Sequence, residues 1–252
     1  MFHLPKGIFV IGTDTGVGKT VVSAALAWTL KQSGKKVAVM KPVQTGTGLG
    51  GLMDIEFVQK VIETNYPLDE VCPYRFSHPL APSVAANVAG ERIDLNKINS
   101  AFYKLGSTHD TVIVEGAGGL LVPITESYLM SDLAFDLGLV IVIVARPGLG
   151  TLNHTLLTVE SVKARGLEVL GIVINKFPSN PDIAERTNPE LILKMTEERI
   201  LGVLPFDPGI SVEEGRIGKL GEAASYSFIP QLGGSFIFED FLKKLQRTYH
   251  GN

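Results

Sequence analysis

The sequence holds one cysteine, Cys72, in 252 residues. It has no second thiol to pair with, so a disulfide scaffold and a Cys-rich zinc module are both excluded, and a reducing, cytoplasmic setting is expected. Neither sign of charge is in excess. Lys and Arg number 23 against 26 Asp and Glu, a formal net charge of -3, so the broad positive field of a non-specific nucleic-acid binder is missing. Long apolar runs are missing as well. The longest, Leu137 to Ala145, covers about half of the roughly 20 residues a membrane helix requires. The opening MFHLPKGIFVIG has a short apolar stretch that runs straight into a glycine-rich loop, which makes a poor signal peptide. A soluble protein with neither nucleic-acid nor membrane partners is expected. Repeats, low-complexity tracts and composition breaks are also lacking, so residues 1–252 read as a single domain.

What is present is a series of short β-branched runs: Ile8 to Ile11, Lys36 to Met40, Thr111 to Val114, Val140 to Val144, Val169 to Ile174 and, more weakly, Ile200 to Leu204. Most are apolar throughout and do not alternate. Strands buried on both faces of a parallel sheet read this way. Segments with helical spacing lie between them. Thr20 to Gln32 stops at Ser33-Gly34, Asp94 caps a helix that runs to Leu105 and is closed by Gly106, Thr151 to Arg165 stops at Gly166, and a last helix covers Phe236 to Tyr249. The alternation predicts a doubly wound α/β fold, a mainly parallel sheet with helices on both faces. Residues 176–190, rich in Asn, Pro, Asp and Glu, read as a surface excursion.

The first strand runs into Gly12-Thr13-Asp14-Thr15-Gly16-Val17-Gly18-Lys19-Thr20, and a helix begins there. Backbone N–H groups that converge on phosphate oxygens need glycine for close approach, and the helix N-terminus adds positive partial charge. Lys19 suits the β- and γ-phosphates and the Thr20 hydroxyl suits Mg²⁺. The strict pattern G-x-x-x-x-G-K-[ST] places a glycine at position 13. Thr13 stands there, and Gly12 comes one residue early. Strand, loop and helix nevertheless follow in the order a P-loop requires, so a nucleoside triphosphate is the expected ligand.

Ligands of α/β sheets sit outside the carboxyl ends of the strands. Lys41, directly after a strand, either neutralises a phosphate or anionic substrate or marks the sheet edge. Glu115 lies between a buried strand and Gly116-Ala117-Gly118-Gly119. Such a carboxylate needs a cation, either Mg²⁺ or a structural ion-pair partner. Asp54 is a second metal ligand or an acid that favours a helix N-terminus. The junction Arg146 to Asn153 either holds a carboxylate on free N–H groups or simply starts a helix. Asn175, at the end of the fifth strand, has the donor and acceptor that an adenine edge calls for. His154, Cys72 and Trp28 read as a helix-surface residue, a small hydrophobe and a core aromatic.

GTDTGVGKT, KPVQTG, VEGAGG, PGLGTLNHTLLT and VINK occur in the order and spacing of dethiobiotin synthetase. The chain resembles that family from Phe9 to about Pro208. The resemblance implies a homodimeric, ATP- and Mg²⁺-dependent ligase of biotin biosynthesis with a P-loop α/β fold. Its substrates would be 7,8-diaminononanoate, CO₂ and ATP. By matching motif, Lys19 and Lys41 would be catalytic. Gly16, Val17, Gly18, Lys19, Thr20 and Val21 would bind ATP with Gly116, Ala117 and Gly118. Thr20, Asp54 and Glu115 would hold the metal. Asn175 and Lys176, with Pro205, Phe206, Asp207 and Glu213, would close the base pocket. Thr15, Lys41 and Thr45 would meet the diamine, and Gly150, Thr151, Leu152 and Asn153 would reach the neighbouring subunit's substrate carboxylate. Residues 177–199 match no pattern of the family. A partitioning or positioning switch ATPase also uses a GVGKT loop, but carries lysine early in it, where Asp14 stands here. A cobyrinate-type amide ligase would need a glutaminase domain that this length does not accommodate.

Overall fold

The computed structural model describes residues 6–247. β1 (Gly7–Gly12) leads into α1 (Lys19–Gln32) and then β2 (Val37–Met40). Two short strands, β3 (Val43–Thr45) and β4 (Tyr74–Phe76), pair with each other apart from the main sheet. α2 (Asp54–Val61) and α3 (Leu68–Val71) lie between them in the chain. α4 (Pro82–Ala89) and α5 (Leu95–Gly106) precede β5 (Thr111–Glu115). Alternation continues through α6 (Met130–Asp136), β6 (Val140–Ala145), α7 (Thr151–Ala164), β7 (Val169–Phe177), α8 (Ile183–Thr196) and β8 (Ile200–Pro205). A small hairpin of β9 (Ile210–Ser211) and β10 (Arg216–Ile217), then α9 (Leu220–Ser227) and α10 (Phe238–Arg247), follow.

The main sheet has the order β2-β5-β1-β6-β7-β8, and every pairing in it is parallel. The β-branched runs fill its interior: Ile8, Phe9, Val10 and Ile11 of β1 and Ile141, Val142, Ile143 and Val144 of β6 are all fully buried. That requires cover on both faces. From β1 the chain steps one way to β2 and later, through β5, the other way to β6, β7 and β8. Right-handed crossovers then put α1 on one face and α5, α7 and α8 on the other. α1 packs with α2 and α9, and α7 packs with α8. α1 is Ala-rich and buried around most of its circumference, as befits a helix between a sheet and two other helices.

Local signals set most element ends. Asp94 caps α5 by accepting from the Asn96 N–H at 2.9 Å. Gly34 and Gly166, both at positive φ (85° and 69°), end α1 and α7. Several boundaries differ from the sequence expectation. β2 starts at Val37, because the Lys36 N–H is taken by Asp110 Oδ2 at 2.8 Å. β7 runs through Asn175 and Lys176 to Phe177 instead of stopping at Ile174. Gly106 does not close α5 but is its last residue, with Ser107 as the C-cap, and the last helix starts at Phe238 rather than Phe236. Its expected end at Tyr249, like the opening five residues of the poor signal peptide, lies outside the described residues.

The larger correction concerns residues 176–190. They are no surface excursion, since β7 takes the first two and α8 begins at Ile183. Pro189 lies inside that helix and conceals it in the sequence, since proline removes a donor and crowds the preceding turn. Its N-terminus compensates with a capping box. Glu185 N–H donates to Asp182 Oδ1 at 2.8 Å and Asp182 N–H donates to Glu185 Oε2 at 2.9 Å. Asn188 Nδ2 then donates to the Pro147 carbonyl at 2.7 Å and ties α8 to the loop after β6.

Candidate active site

The carboxyl ends of β1, β2, β5 and β7 open onto one cavity of about 520 Å³. Its floor is the loop from Gly12 to Thr20. Gly16 and Gly18 hold φ of 75° and 90°, and Gly18 is the N-cap of α1, so Lys19 and Thr20 are the first residues of that helix. The glycine that arrives one position early is explained by space. A Cβ on Gly12 would lie 2.6 Å from the Asp14 carbonyl and 2.8 Å from a Val17 methyl, so the loop folds back across Gly12 itself. Thr13 N–H donates to Val144 at 3.0 Å and continues the sheet.

Above the loop, three strand-end side chains meet. Lys41 follows β2, and its backbone N–H is fixed by the Val71 carbonyl at 2.7 Å. Its ammonium donates to Glu115 Oε1 at 2.7 Å and to Asp54 Oδ2. Glu115, the last residue of β5, is 1% exposed and also accepts from Thr20 Oγ1 at 2.8 Å. Asp54 is the first residue of α2. Burial alone would lower the Lys41 pKa, but the Glu115 and Asp54 charges outweigh it and hold the ammonium above the usual lysine range. Burial would raise the Asp54 pKa, yet the Lys41 charge and hydrogen bond, with Thr20 and Gln44 close by, hold it below the usual carboxylate range. Lys19 differs. It is buried, pairs with no acid among the described residues, and desolvation lowers its pKa despite Glu115 and Asp54 nearby. An anion between Lys19 and the loop amides would remove that penalty.

Thr20, Asp54 and Glu115 offer two carboxylates and a hydroxyl, a hard oxygen set that suits Mg²⁺. Among the described residues no group of three or more His, Cys, Asp or Glu forms a closed metal cage. Mg²⁺ is commonly held this way, by one or two carboxylates together with substrate phosphates and water.

Thr15, Gly16, Gly18, Lys19, Thr20, Val21, Lys41, Thr45, Asp54, Glu115, Ala117 and Gly118 line the cavity, as do Asn175, Lys176, Pro205, Phe206, Asp207 and Glu213. Val17 is buried below the loop, and Gly116 packs against Phe9, whose ring lies 2.9 Å from where its Cβ would be. Neither lines the cavity. Asn175 has its amide nitrogen engaged within the protein. Its Nδ2 donates to the Val17 carbonyl at 2.8 Å, and Lys176 Nζ donates to the Gly16 carbonyl at 2.9 Å, so the end of β7 braces the phosphate loop. Gly150, Thr151, Leu152 and Asn153 lie outside the cavity. They start α7, beside Leu149, which is 88% exposed. His154 is half-buried, with Nδ1 3.2 Å from Arg146 Nη2. Cys72 is buried, while Trp28 only partly enters the core.

Sequence reasoning missed Gln44, Ile210, Ser211 and Val212, which also line the cavity. Gln44 lies within the KPVQTG motif, so its neighbours could have flagged it. The other three belong to a two-residue strand and its turn, too short for any periodic signal.

Among the described residues no helix is long and apolar enough to cross a membrane. A family model described as an AAA domain matches residues 6–214. In solved structures, the chain is similar to the cell division protein MinD of Aquifex aeolicus in its complex with MinC, at 14% identity and a TM-score of 0.57, covering 98% of this chain and 97% of that one. It is also similar to the septum site-determining protein MinD of Pyrococcus horikoshii complexed with Mg-ADP, at 19% identity and a TM-score of 0.53, covering 98% and 97%. These likenesses establish a P-loop fold of the MinD type. In sequence, the ATP-dependent dethiobiotin synthetase BioD of Anaeromyxobacter sp. (strain K) is 42% identical over 215 residues, 85% of this chain and 96% of that protein. That of Bacillus subtilis (strain 168) is 41% identical over 201 residues, 79% and 87%. At such identity over nearly the full length of these relatives, the chain belongs to the ATP-dependent dethiobiotin synthetase family.

Proposed function

We propose that this chain makes dethiobiotin from 7,8-diaminononanoate, CO₂ and ATP, with ADP and phosphate released, and that the strand-end cluster above the phosphate loop does the work. The observation that carries this is the position of Lys41. A charged ammonium sits between Asp54 and Glu115, in the same cavity as Lys19, Thr20 and Thr45.

The chemistry asks for charge control more than for covalent help. One neutral amine takes up CO₂ and loses a proton, giving a carbamate. A carbamate oxygen attacks the γ-phosphorus and ADP leaves, so a mixed carbamic–phosphoric anhydride forms. The second amine, also neutral, attacks the carbonyl carbon and gives up a proton to the departing phosphate, the bond from that carbon to the phosphoryl oxygen breaks, and phosphate leaves the closed cyclic urea. Lys19 and the loop amides from Gly16 to Val21 hold the phosphates and offset the charge that develops on them. Thr20, Asp54 and Glu115 would hold Mg²⁺, which would neutralise phosphate charge there. Lys41 faces the anionic carbamate, and Thr45 and Thr15 position the diamine. Gly116 to Gly118 flank the phosphates, while Asn175, Lys176, Pro205 to Asp207 and Glu213 enclose the base end. By resemblance to the family, Gly150 to Asn153 serve the substrate site of a second copy in a homodimer, where the N–H groups at the start of α7 receive the substrate carboxylate.

The test is incubation with diaminononanoate, bicarbonate and MgATP, following phosphate and the cyclic urea together. Urea and phosphate should appear in equal amounts. Phosphate release without urea, stimulated by DNA or lipid, would instead favour a switch ATPase on the same fold.

A further inference from the structure

The hairpin of β9 and β10 is too small to stand alone, since a two-stranded ribbon of this size is at best marginally stable in water. Yet Ile210, Ser211, Val212 and Glu213 form one wall of the nucleotide cavity, so something must hold them in place. Two attachments do so. At the base, the Asp207 carboxylate accepts from Gly209 N–H at 2.7 Å and from Lys219 N–H at 2.8 Å, which closes the hairpin on itself. At the far end, the hairpin is fastened to another part of the chain. Leu52 N–H donates to the Glu213 carbonyl at 2.7 Å, and Lys60 Nζ donates to the Gly215 carbonyl at 2.8 Å.

The seam is built for close approach. Gly51 has φ of 85°, and a Cβ there would lie 2.8 Å from the Glu213 carbonyl oxygen. Gly215 has φ of 64°, with a Leu52 methyl 3.3 Å from where its Cβ would be. A side chain at Gly51 would force the two segments apart, and one at Gly215 would crowd Leu52 and sit at an unfavourable φ. On the other side of the seam the chain enters α2 within two residues. Glu56 Oε2 accepts from Met53 N–H at 2.9 Å, and Asp54 then reaches Lys41. One continuous path therefore joins the wall at the base end of the cavity to the carboxylate beneath the phosphates.

We propose that Gly51, Leu52 and Lys60 form a clamp that positions the β9–β10 wall against the nucleoside part of the bound nucleotide, which makes Lys60 a positioning residue for nucleoside recognition. The proposal rests on the nucleotide reading of this cavity and adds a function for residues outside it. A ligand that is only phosphate touches the loop at Gly16 to Thr20 and does not need the wall. A full nucleotide does.

The test compares two probes, MgATP and magnesium tripolyphosphate, by calorimetric titration of the full chain. Lys60→Met removes the tether without charge, Lys60→Arg keeps a charged donor, and Gly51→Ala pushes the seam open from the opposite side. Loss of a charge-assisted hydrogen bond at a partly exposed site should weaken ATP about 5- to 10-fold in Lys60→Met, and Gly51→Ala should weaken it by about 10-fold or more because its φ is also unfavourable. Tripolyphosphate should stay within about 2-fold in both, and Lys60→Arg should bind ATP nearly as the wild type does. Wild-type ATP affinity in Lys60→Met and Gly51→Ala overturns the proposal. So does equal weakening of both probes, which marks general damage to the cavity. A wild-type chain that binds neither probe refutes the nucleotide reading itself, a result distinct from either of these.

Discussion

Replacing Lys41 by Met keeps most of the side-chain volume and removes the ammonium that pairs with both Asp54 and Glu115. Glu115 is 1% exposed and Asp54 27% exposed, so water compensates the second carboxylate in part and the first hardly at all. Removing one partner of a buried pair typically costs about 3–5 kcal/mol, because the remaining charge is left uncompensated. For a chain of this size, where about 1 kcal/mol shifts the melting temperature by about 2–4 °C, Lys41→Met should melt roughly 6–20 °C below wild type at neutral pH. Two controls separate lost charge from damaged packing. Lys41→Met/Glu115→Gln removes the orphaned charge together with its partner and should recover most of the loss. Added Mg²⁺ should raise the melting temperature of Lys41→Met more than that of wild type, since the same oxygens then lack their internal cation. The pH dependence has a definite sign. Lys41 holds the Asp54 pKa down, so its pairing stabilises the fold above the unfolded carboxylate range and is lost as pH falls through the lowered folded value. Asp54 and Glu115 hold the Lys41 pKa up, so that contribution is complete below the ordinary lysine range and disappears only as pH rises through the raised folded value. Lys41→Met should flatten both limbs. Differential scanning calorimetry at several pH values measures all of this. A Lys41→Met protein that melts within about 2 °C of wild type and ignores both Mg²⁺ and the second substitution would refute the reasoning.

Lys19→Met should abolish ATP binding while leaving the melting temperature at or above that of wild type, because burial already lowers the Lys19 pKa and charging it costs free energy; a large loss of stability in thermal melts would mean the lysine braces the fold. The sign with pH is opposite to that of Lys41: the penalty is present at neutral pH and fades as pH rises from the lowered folded value to the ordinary lysine range, a gain that Lys19→Met should not show. Asn175→Ala frees the Val17 and Gly18 carbonyls and should weaken MgATP and magnesium tripolyphosphate by a similar factor, on the order of 10-fold for one buried hydrogen bond of about 1–1.5 kcal/mol. A loss confined to ATP in equilibrium binding would show instead that Asn175 acts on the base.

The parts of this fold that were legible in the sequence are those with long, uniform signals. The apolar runs of β1, β5 and β6 could only be strands covered on both faces, and the cap at Asp94 and the stops at Gly34 and Gly166 mark helix ends by one residue each. The phosphate loop was legible through its order of strand, loop and helix despite the displaced glycine. What was hidden depended on contacts between distant segments. The helical pattern of α8 is interrupted by Pro189, and its stability comes from a capping box and from Asn188 on the Pro147 carbonyl. The hairpin of β9 and β10 has too few residues for periodicity, and its position is set by Leu52 and Lys60, the latter 155 residues before its partner Gly215. Asn175 was visible as a strand-end amide, but only the fold reveals that its donor is turned toward the loop.

Proteins with little sequence in common share this sheet, and the reason lies in where its constraints fall. The interior of the six strands requires only apolar residues of suitable volume, a demand that many sequences meet, so 14% identity suffices to reproduce the architecture over 98% of the chain. The rim is different. Thr20, Lys41 and Glu115 come from α1, the end of β2 and the end of β5, and they touch only because β5 lies between β1 and β2. Each would be costly in isolation: a buried carboxylate needs its cation, and a buried ammonium needs its acids. They are therefore acceptable only as a set, and a chain that replaced one would be pressed to replace the others. The sheet thus tolerates wide change in its apolar residues, while the charges at its rim are constrained together by one another.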